Sequence, residues 1–249
     1  MRNAECGMRS DVVAVVPAAG SGARMGARRP KQFLRVGGVP LLVQTLRVLG
    51  RAPMVGGIVV AAPPDEVEWT RALLRRHRVP RVLAVVAGGR ERQESVWLGL
   101  QALPPWAAFV VVHDAVRPCI TPELVRAVIA EARSNGAAIC GLPVRETVKR
   151  VAGEQVEATL DREGLWLIQT PQAFRRALLW EAHEKARRDG FRGTDDAMLV
   201  ERMGASVKVI PGLPDNLKIT TLEDLARARR CVSRKVRLGR GPAGRAGAG

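Results

Sequence analysis

Six short runs of β-branched and apolar residues, separated by segments of helical periodicity, constrain this chain more than any other feature. The runs lie at 12–16, 58–61, 82–86, 109–112, 137–142 and 207–210. They are continuous rather than alternating in polarity, as strands covered on both faces must be. Between them, 41–49, 65–77, 94–103 and 122–134 carry apolar residues at helical spacing. That alternation predicts an α/β fold with a mostly parallel sheet and right-handed crossovers. Helix limits agree: Thr121, Pro122 and Glu123 supply an N-cap, a first-turn proline and a first-turn carboxylate, and Asn135-Gly136 closes the same segment.

One stretch breaks the rhythm. TVKRV and QVEATL flank Ala152-Gly153-Glu154, which reads as a hairpin with alternating polar residues and little to bury by itself. We expect a β-arm over about 144–165 that projects from the body, and a second copy of the chain is the simplest partner for it. With 249 residues and a 47% hydrophobic fraction the chain can bury a sizeable core, and no linker or repeat divides it. The expectation is a single domain over 11–232, followed at 233–249 by a basic, Gly/Ala-rich flexible tail.

Charge needs to be located before it is interpreted. The net charge is +16, but half of it lies after Asp224, where Arg227, Arg229, Arg230, Arg234, Lys235, Arg237, Arg240 and Arg245 meet no acidic residue. The chain has five tryptophans, four phenylalanines and no tyrosine, and no basic-aromatic cluster forms a stacking platform for nucleic acid. Phosphorylated small molecules explain the remaining cations as well. The longest apolar stretch, 12–20, is broken by Pro17 and falls short of the roughly 20 residues a membrane helix needs. MRNAECGMRS at the start has no apolar signal segment, so no membrane association and a cytoplasmic location are expected. Cys6, Cys119, Cys140 and Cys231 lack metal-ligand spacing and read as reduced thiols.

The clearest chemical feature is the loop after the first strand, Pro17-Ala18-Ala19-Gly20-Ser21-Gly22-Ala23-Arg24-Met25-Gly26, with Arg28, Arg29 and Lys31 beyond it. Small residues let backbone N–H groups approach a polyphosphate, so the loop reads as a phosphate cradle. It is not a P-loop, since no Gly-Lys-Ser/Thr follows. The dinucleotide fingerprint also fits badly: Gly26 comes one residue late, and the second strand ends in Ala61-Ala62-Pro63-Pro64 without an acidic residue. A dinucleotide-dependent reductase and a nucleic-acid binder using the basic tail remain the alternatives from other classes.

PAAGSGARMG with PKQF resembles the signature of sugar-phosphate and polyol-phosphate nucleotidyltransferases. GGRERQESV at 88–96, HDAVRP at 113–118, PVRETVKR at 143–150, DREGLWLIQTPQ at 161–172, TDD at 194–196 and DNLKIT at 215–220 follow in order. Together they resemble the 2-C-methyl-D-erythritol 4-phosphate cytidylyltransferases of non-mevalonate isoprenoid synthesis, over roughly Val12 to Arg230. The resemblance implies a Rossmann-like nucleotidyltransferase fold and transfer of CMP from CTP to 2-C-methyl-D-erythritol 4-phosphate, with ribitol 5-phosphate as the near alternative acceptor. It places Arg24 and Lys31 on the triphosphate, and the nucleotide against Pro17, Ala18, Ala19, Gly20, Gly22, Gly88, Gly89 and Ser95. Asp114 and Ala115 join the nucleotide, with Asp114 also a candidate metal contact. Arg162 and Lys218 hold the attacking phosphate; Arg117, Thr147, Thr170 and Thr194 serve the acceptor. Magnesium is the implied divalent ion, held mostly by nucleotide oxygens and water. A homodimer exchanging the β-arm would carry Thr147 and Arg162 to the neighbouring site.

Overall fold

The computed structural model describes residues 10–20 and 30–238, with the backbone alone at 232–238. Strand β1 (Val12–Pro17) is followed by a small hairpin, β2 (Arg35–Val36) and β3 (Val39–Pro40), and by helix α1 (Leu41–Arg51). The next two strands, β4 (Gly57–Ala62) and β5 (Val82–Ala87), bracket α2 (Val67–Arg76), and α3 (Arg92–Gln101) leads to β6 (Phe109–Val112). Then come α4 (Pro122–Asn135), β7 (Ala137–Pro143), the arm strands β8 (Val148–Ala152) and β9 (Gln155–Leu160), and the long β10 (Trp166–Arg175). The chain closes with α5 (Arg176–Arg188), α6 (Asp196–Glu201), β11 (Lys208–Pro211) and α7 (Leu222–Leu238).

Seven strands form the central sheet in the order β11-β7-β10-β6-β1-β4-β5. All neighbours pair in parallel except β10, which runs antiparallel between β6 and β7. The mostly parallel sheet expected from the continuous apolar runs is therefore present, and β10 is the departure. Its sequence, WLIQTPQAFR, mixes polar residues and a proline into an apolar run, so neither period stands out.

Both faces of the sheet are covered. Val12, Ala14 and Val16 pack toward α1, α2 and α4, while Val13 and Val15 pack toward α3, α5 and α6. Every residue from Val12 to Val16 is fully buried, and each such valine contributes about 1.5 to 3 kcal/mol by leaving water. Helix α4 starts where expected: Thr121 Oγ1 accepts a bond from Leu124 N at 3.2 Å, and Gly136 at φ +85° ends it.

The arm strands pair only with each other and bury almost nothing in this chain. Val151, Val156 and Leu167 are more than half exposed. At the other end, the tail expected from 233 is corrected: α7 continues to Leu238. Leu225 and Ala228 dock its first turns on Val36, Leu41, Val116 and Ile219, and the residues that follow lack glycine and proline until Gly239, so nothing stops the helix sooner. The Gly/Ala-rich end beyond 238 lies outside the described residues. Among the described residues no helix is long and apolar enough to cross a membrane.

Helix α3 lies close on β1 because Gly99 has no side chain: a Cβ there would stand 2.5 Å from Val15 Cγ1. Val15 is β-branched and fully buried, so it cannot turn aside. Gly99→Ala should therefore destabilise the protein by about 1 to 3 kcal/mol, read as a lower urea midpoint with unchanged slope.

Candidate active site

The loops that follow β1, β5 and β6 meet at the carboxyl edge of the sheet, where open α/β sheets collect ligands. Two adjoining clefts lie there. One, of about 210 Å³, is lined by Pro17, Ala18, Ala19, Gly20, Lys31, Ser95 and Ala115. The other, of about 490 Å³, is lined by Arg117, Gln169, Thr170, Thr194 and Met198. Arg92, Asp114 and Lys218 border both.

Asp114 is the hub of that shared wall. Its Oδ1 accepts from Arg92 Nε at 3.1 Å; its Oδ2 accepts from Lys218 Nζ at 3.0 Å and Arg117 Nε at 3.3 Å. Burial opposes its charge, but Arg92, Lys218 and Arg117 outweigh burial and hold the carboxyl far below the usual range. Arg92 is likewise held protonated: burial works against its charge, and Asp196 and Asp114 overcome it. Three cations against two carboxylates, Asp114 and the Asp196 that also holds Arg92, leave the wall positive, which suits phosphate groups on either side.

The frame behind this wall is held by a set of hydrogen bonds, although Asn216 Oδ1 and Gln172 Oε1 are buried without a partner. Arg117 Nη1 donates to Asn216 O at 2.7 Å, and Asn216 Nδ2 donates to Thr170 O at 2.8 Å and Gln169 Oε1 at 3.1 Å. Those bonds strap residues 216–218 to β10 and bring Lys218 to Asp114. Beside the smaller cleft, Gln32 Nε2 donates to the carbonyls of Ala18 and Gly20. Ser95 Oγ accepts from Gly89 N at 3.1 Å and donates to Glu91 O at 3.0 Å. Gly88 sits behind the cleft: a Cβ there would stand 2.5 Å from Ala19 Cβ, so glycine lets the two loops touch.

The residues singled out from sequence divide into four groups. Pro17, Ala18, Ala19, Gly20, Lys31, Ser95, Asp114 and Ala115 share the smaller cleft, with Gly88 and Gly89 supporting it. Ala18 has both backbone groups engaged, its N–H on Ala61 O at 2.7 Å and its carbonyl on Gln32. Arg117, Thr170, Thr194 and Lys218 share the larger cleft. Thr147 and Arg162 stand exposed on the arm and line neither cleft of their own chain. Gly22 and Arg24 lie outside the described residues.

Thr170 is used differently from the expectation. Its Oγ1 is 3.0 Å from His113 Nδ1 and accepts the Asp114 N–H at 3.1 Å. His113 Nε2 faces the Arg117 carbonyl at 3.2 Å, which can only accept, so Nε2 carries the ring proton and Nδ1 receives the threonine proton. No hydroxyl hydrogen of Thr170 is left for a phosphate. It holds the Asp114 backbone instead.

Arg92, Gln32, Gln169, Asn216, Asp196 and His183 received no role from sequence. All but His183 lie inside the motifs PKQF, GGRERQESV, DREGLWLIQTPQ, TDD and DNLKIT, so the motif positions were the available signal. Among the described residues no group of three or more His, Cys, Asp or Glu side chains is placed to hold a metal ion.

A turn of small residues after β1, a cationic wall and two adjoining clefts thus lie together at one edge of the sheet. The family profile of 2-C-methyl-D-erythritol 4-phosphate cytidylyltransferase matches residues 12–234. A protein of that name from Geobacter metallireducens is 45% identical over 229 residues, covering 90% of this chain and 99% of the relative. The solved structure of the cytidylyltransferase from Thermus thermophilus is 37% identical with a TM-score of 0.75, covering 89% of this chain and 98% of that one. A 4-diphosphocytidyl-2C-methyl-D-erythritol synthase from Anaerococcus prevotii is 32% identical with a TM-score of 0.79, over 91% of this chain and all of that one. The chain belongs to the 2-C-methyl-D-erythritol 4-phosphate cytidylyltransferase family.

His113 gives the fold a pH dependence. Burial lowers its pKa from 6.5 to about 4. Between those values the unfolded chain binds a proton that the folded protein refuses, so stability falls as pH is lowered from 6.5 toward 4, by about 3 kcal/mol in all. Urea denaturation across that window should show the slope, and His113→Gln should flatten it while lowering stability at pH 7.

Proposed function

We propose that this chain transfers CMP from CTP to 2-C-methyl-D-erythritol 4-phosphate, giving 4-diphosphocytidyl-2-C-methyl-D-erythritol and pyrophosphate, in isoprenoid precursor synthesis. The observation that carries the reading is the wall of Arg92, Asp114 and Lys218 between two clefts. A nucleotide in the smaller cleft and a phosphorylated acceptor in the larger one would meet across it. A phosphate oxygen of the acceptor attacks the α-phosphorus of CTP; that P–O bond forms as the bond to pyrophosphate breaks.

The attacking group needs no base. A phosphate monoester has a second pKa of about 6 and is mostly dianionic at neutral pH. His113, the histidine beside the wall, is fully buried, neutral and bonded at both nitrogens, so it is not placed to act as one. The chain's residues instead position and neutralise. Lys31, with Arg24 from the loop, meets charge on the triphosphate; Lys218 and Arg117 orient the acceptor phosphate; Thr194 donates a hydroxyl to it. The backbone around Ala19, Gly20 and Gly88-Gly89 faces the base, with Ser95 holding that turn. Pro17 and Ala115 close the cleft.

Magnesium fits this donor set as an ion held chiefly by triphosphate oxygens and water, its usual mode in nucleotide sites. Asp114, on the shared wall, is the candidate protein contact, and it would have to give up one of the cations that share its oxygens to meet the ion. The ion would supply further neutralisation of the triphosphate. We further propose a homodimer in which the arm's exposed Val151 and Val156, and Leu167 at the start of β10, are covered by the partner. Thr147 and Arg162 then complete the partner's acceptor cleft. The reaction belongs in the cytoplasm, where CTP is made.

Pyrophosphate release from CTP with magnesium and 2-C-methyl-D-erythritol 4-phosphate tests the reading; no release from the purified protein would sink it. Lys31→Ala and Arg24→Ala should each raise the barrier by about 2 to 4 kcal/mol, seen in kcat. Co-refolding equal amounts of Lys31→Ala and Arg162→Ala chains tests arm exchange: sites made in trans restore about a quarter of wild-type activity, whereas sites made in cis restore none.

A further inference from the structure

The proposed reaction uses Asp114, Arg117 and Lys218 but leaves the charges behind them without a task. Arg92 opens α3 and spans two carboxylates, with Nε 3.1 Å from Asp114 Oδ1 and Nη1 2.7 Å from Asp196 Oδ2. Asp196, at the start of α6, is fully buried, and its other oxygen accepts from His183 Nε2 at 3.0 Å. His183 comes from α5, is fully buried as well, and lies parallel to the Trp97 ring at 6.3 Å. Neither Asp196 nor His183 lines a cleft.

Four groups from α5, α6, α3 and the loop after β6 thus form one line that ends at the shared wall. Burial opposes the charge of Asp196, yet Arg92 and the His183 hydrogen bond keep it ionised. A buried ion pair is a poor device for stability, because an apolar pair of similar volume does as well or better. What the pair does supply is direction. The guanidinium is a rigid planar fork, so fixing Nη1 fixes where Nε points. Arg92 is also a quarter exposed on the cleft side, so without its anchor it would be free to swing toward bound phosphate and abandon Asp114.

We infer that Asp196 is a positioning residue for the transfer reaction: by anchoring Arg92 it fixes the Asp114 carboxylate, and with it the Arg117 and Lys218 that share the opposite oxygen. The inference rests on the cytidylyltransferase reading above. It makes the acceptor side more sensitive than the base side, since Lys218 and Arg117 are the groups released.

A double-mutant cycle tests it with the full-length protein, CTP, magnesium and 2-C-methyl-D-erythritol 4-phosphate. Asp196→Asn should lower kcat about ten- to a hundredfold while the KM for CTP stays within about threefold. In an Asp114→Asn background the same change should cost less than about threefold more, because the group it acts through is already gone. A merely structural role would lower activity by the same factor in both backgrounds. Should Asp196→Asn fail to fold, Arg92→Lys replaces it in the cycle, since lysine keeps the charge but lacks the rigid planar fork that fixes both carboxylates in one geometry. Additive losses with an active wild type overturn the inference alone; an inactive wild type overturns the reaction reading and the inference with it.

Discussion

A carboxylate kept ionised out of water is the constraint around which this site is built. Asp114 is 6% exposed and survives as a charge because Arg92, Arg117 and Lys218 surround it. Each cation is delivered by a different part of the chain: the first turn of α3, the loop after β6 and the segment before α7. Removing the carboxylate would leave Arg117 and Lys218 without their shared counter-charge a few ångströms from Arg92, which would keep Asp196. The aspartate therefore makes it possible for the site to store positive charge before any phosphate arrives. Preorganised charge of this kind does not have to be assembled during the reaction.

The rest of the edge holds that cluster in place. Gln32 fastens the loop after β1 at Ala18 and Gly20, and Gly88 lets the loop after β5 close against Ala19. His113 and Thr170 tie the Asp114 backbone to β10, and Asn216 ties β10 to the strap that carries Lys218. Apart from the unpartnered Asn216 Oδ1, these are buried polar groups with partners, and such groups specify one arrangement more strictly than apolar packing does. The antiparallel course of β10 matters here. It sets Gln169, Thr170 and Gln172 against the wall, where a parallel strand would have placed a turn.

Much of the architecture was legible because burial on both faces forces a recognisable alphabet. The run from Val12 to Val16 could hardly be anything but a central strand, and Thr121 to Gly136 announces both ends of α4. β10 escaped because its inward polar side chains serve the site rather than the core, so its pattern is neither alternating nor continuous. Helix α5 escaped for the opposite reason: RALLWEAHEKARR is dominated by charge, and its buried Leu179, Ala182, His183 and Ala186 form a narrow stripe. Within the site, the small residues Pro17 to Gly20 drew attention to the turn after β1, and they line the smaller cleft. The Arg92 pairs were not, since Asp114 lies 22 residues away and Asp196 lies 104 away, and no local spacing reports such contacts. Thr170 was legible as a hydroxyl near the site, but the direction of its proton depends on a histidine 57 residues upstream.

The arm poses a different problem, because its energetics are not contained in one chain. A lone two-stranded hairpin is marginal in water, and here the strands leave Val151 and Val156 more than half exposed. Ordering such a segment costs conformational entropy that its own contacts do not return. In the proposed dimer the missing burial comes from the partner, and the same contact places Thr147 and Arg162 where the acceptor cleft lacks them. Folding of the arm, association of the chains and completion of the site then become one equilibrium, governed by protein concentration. A cationic wall that is ready in each chain but completed by the neighbour would confine transfer to the assembled enzyme.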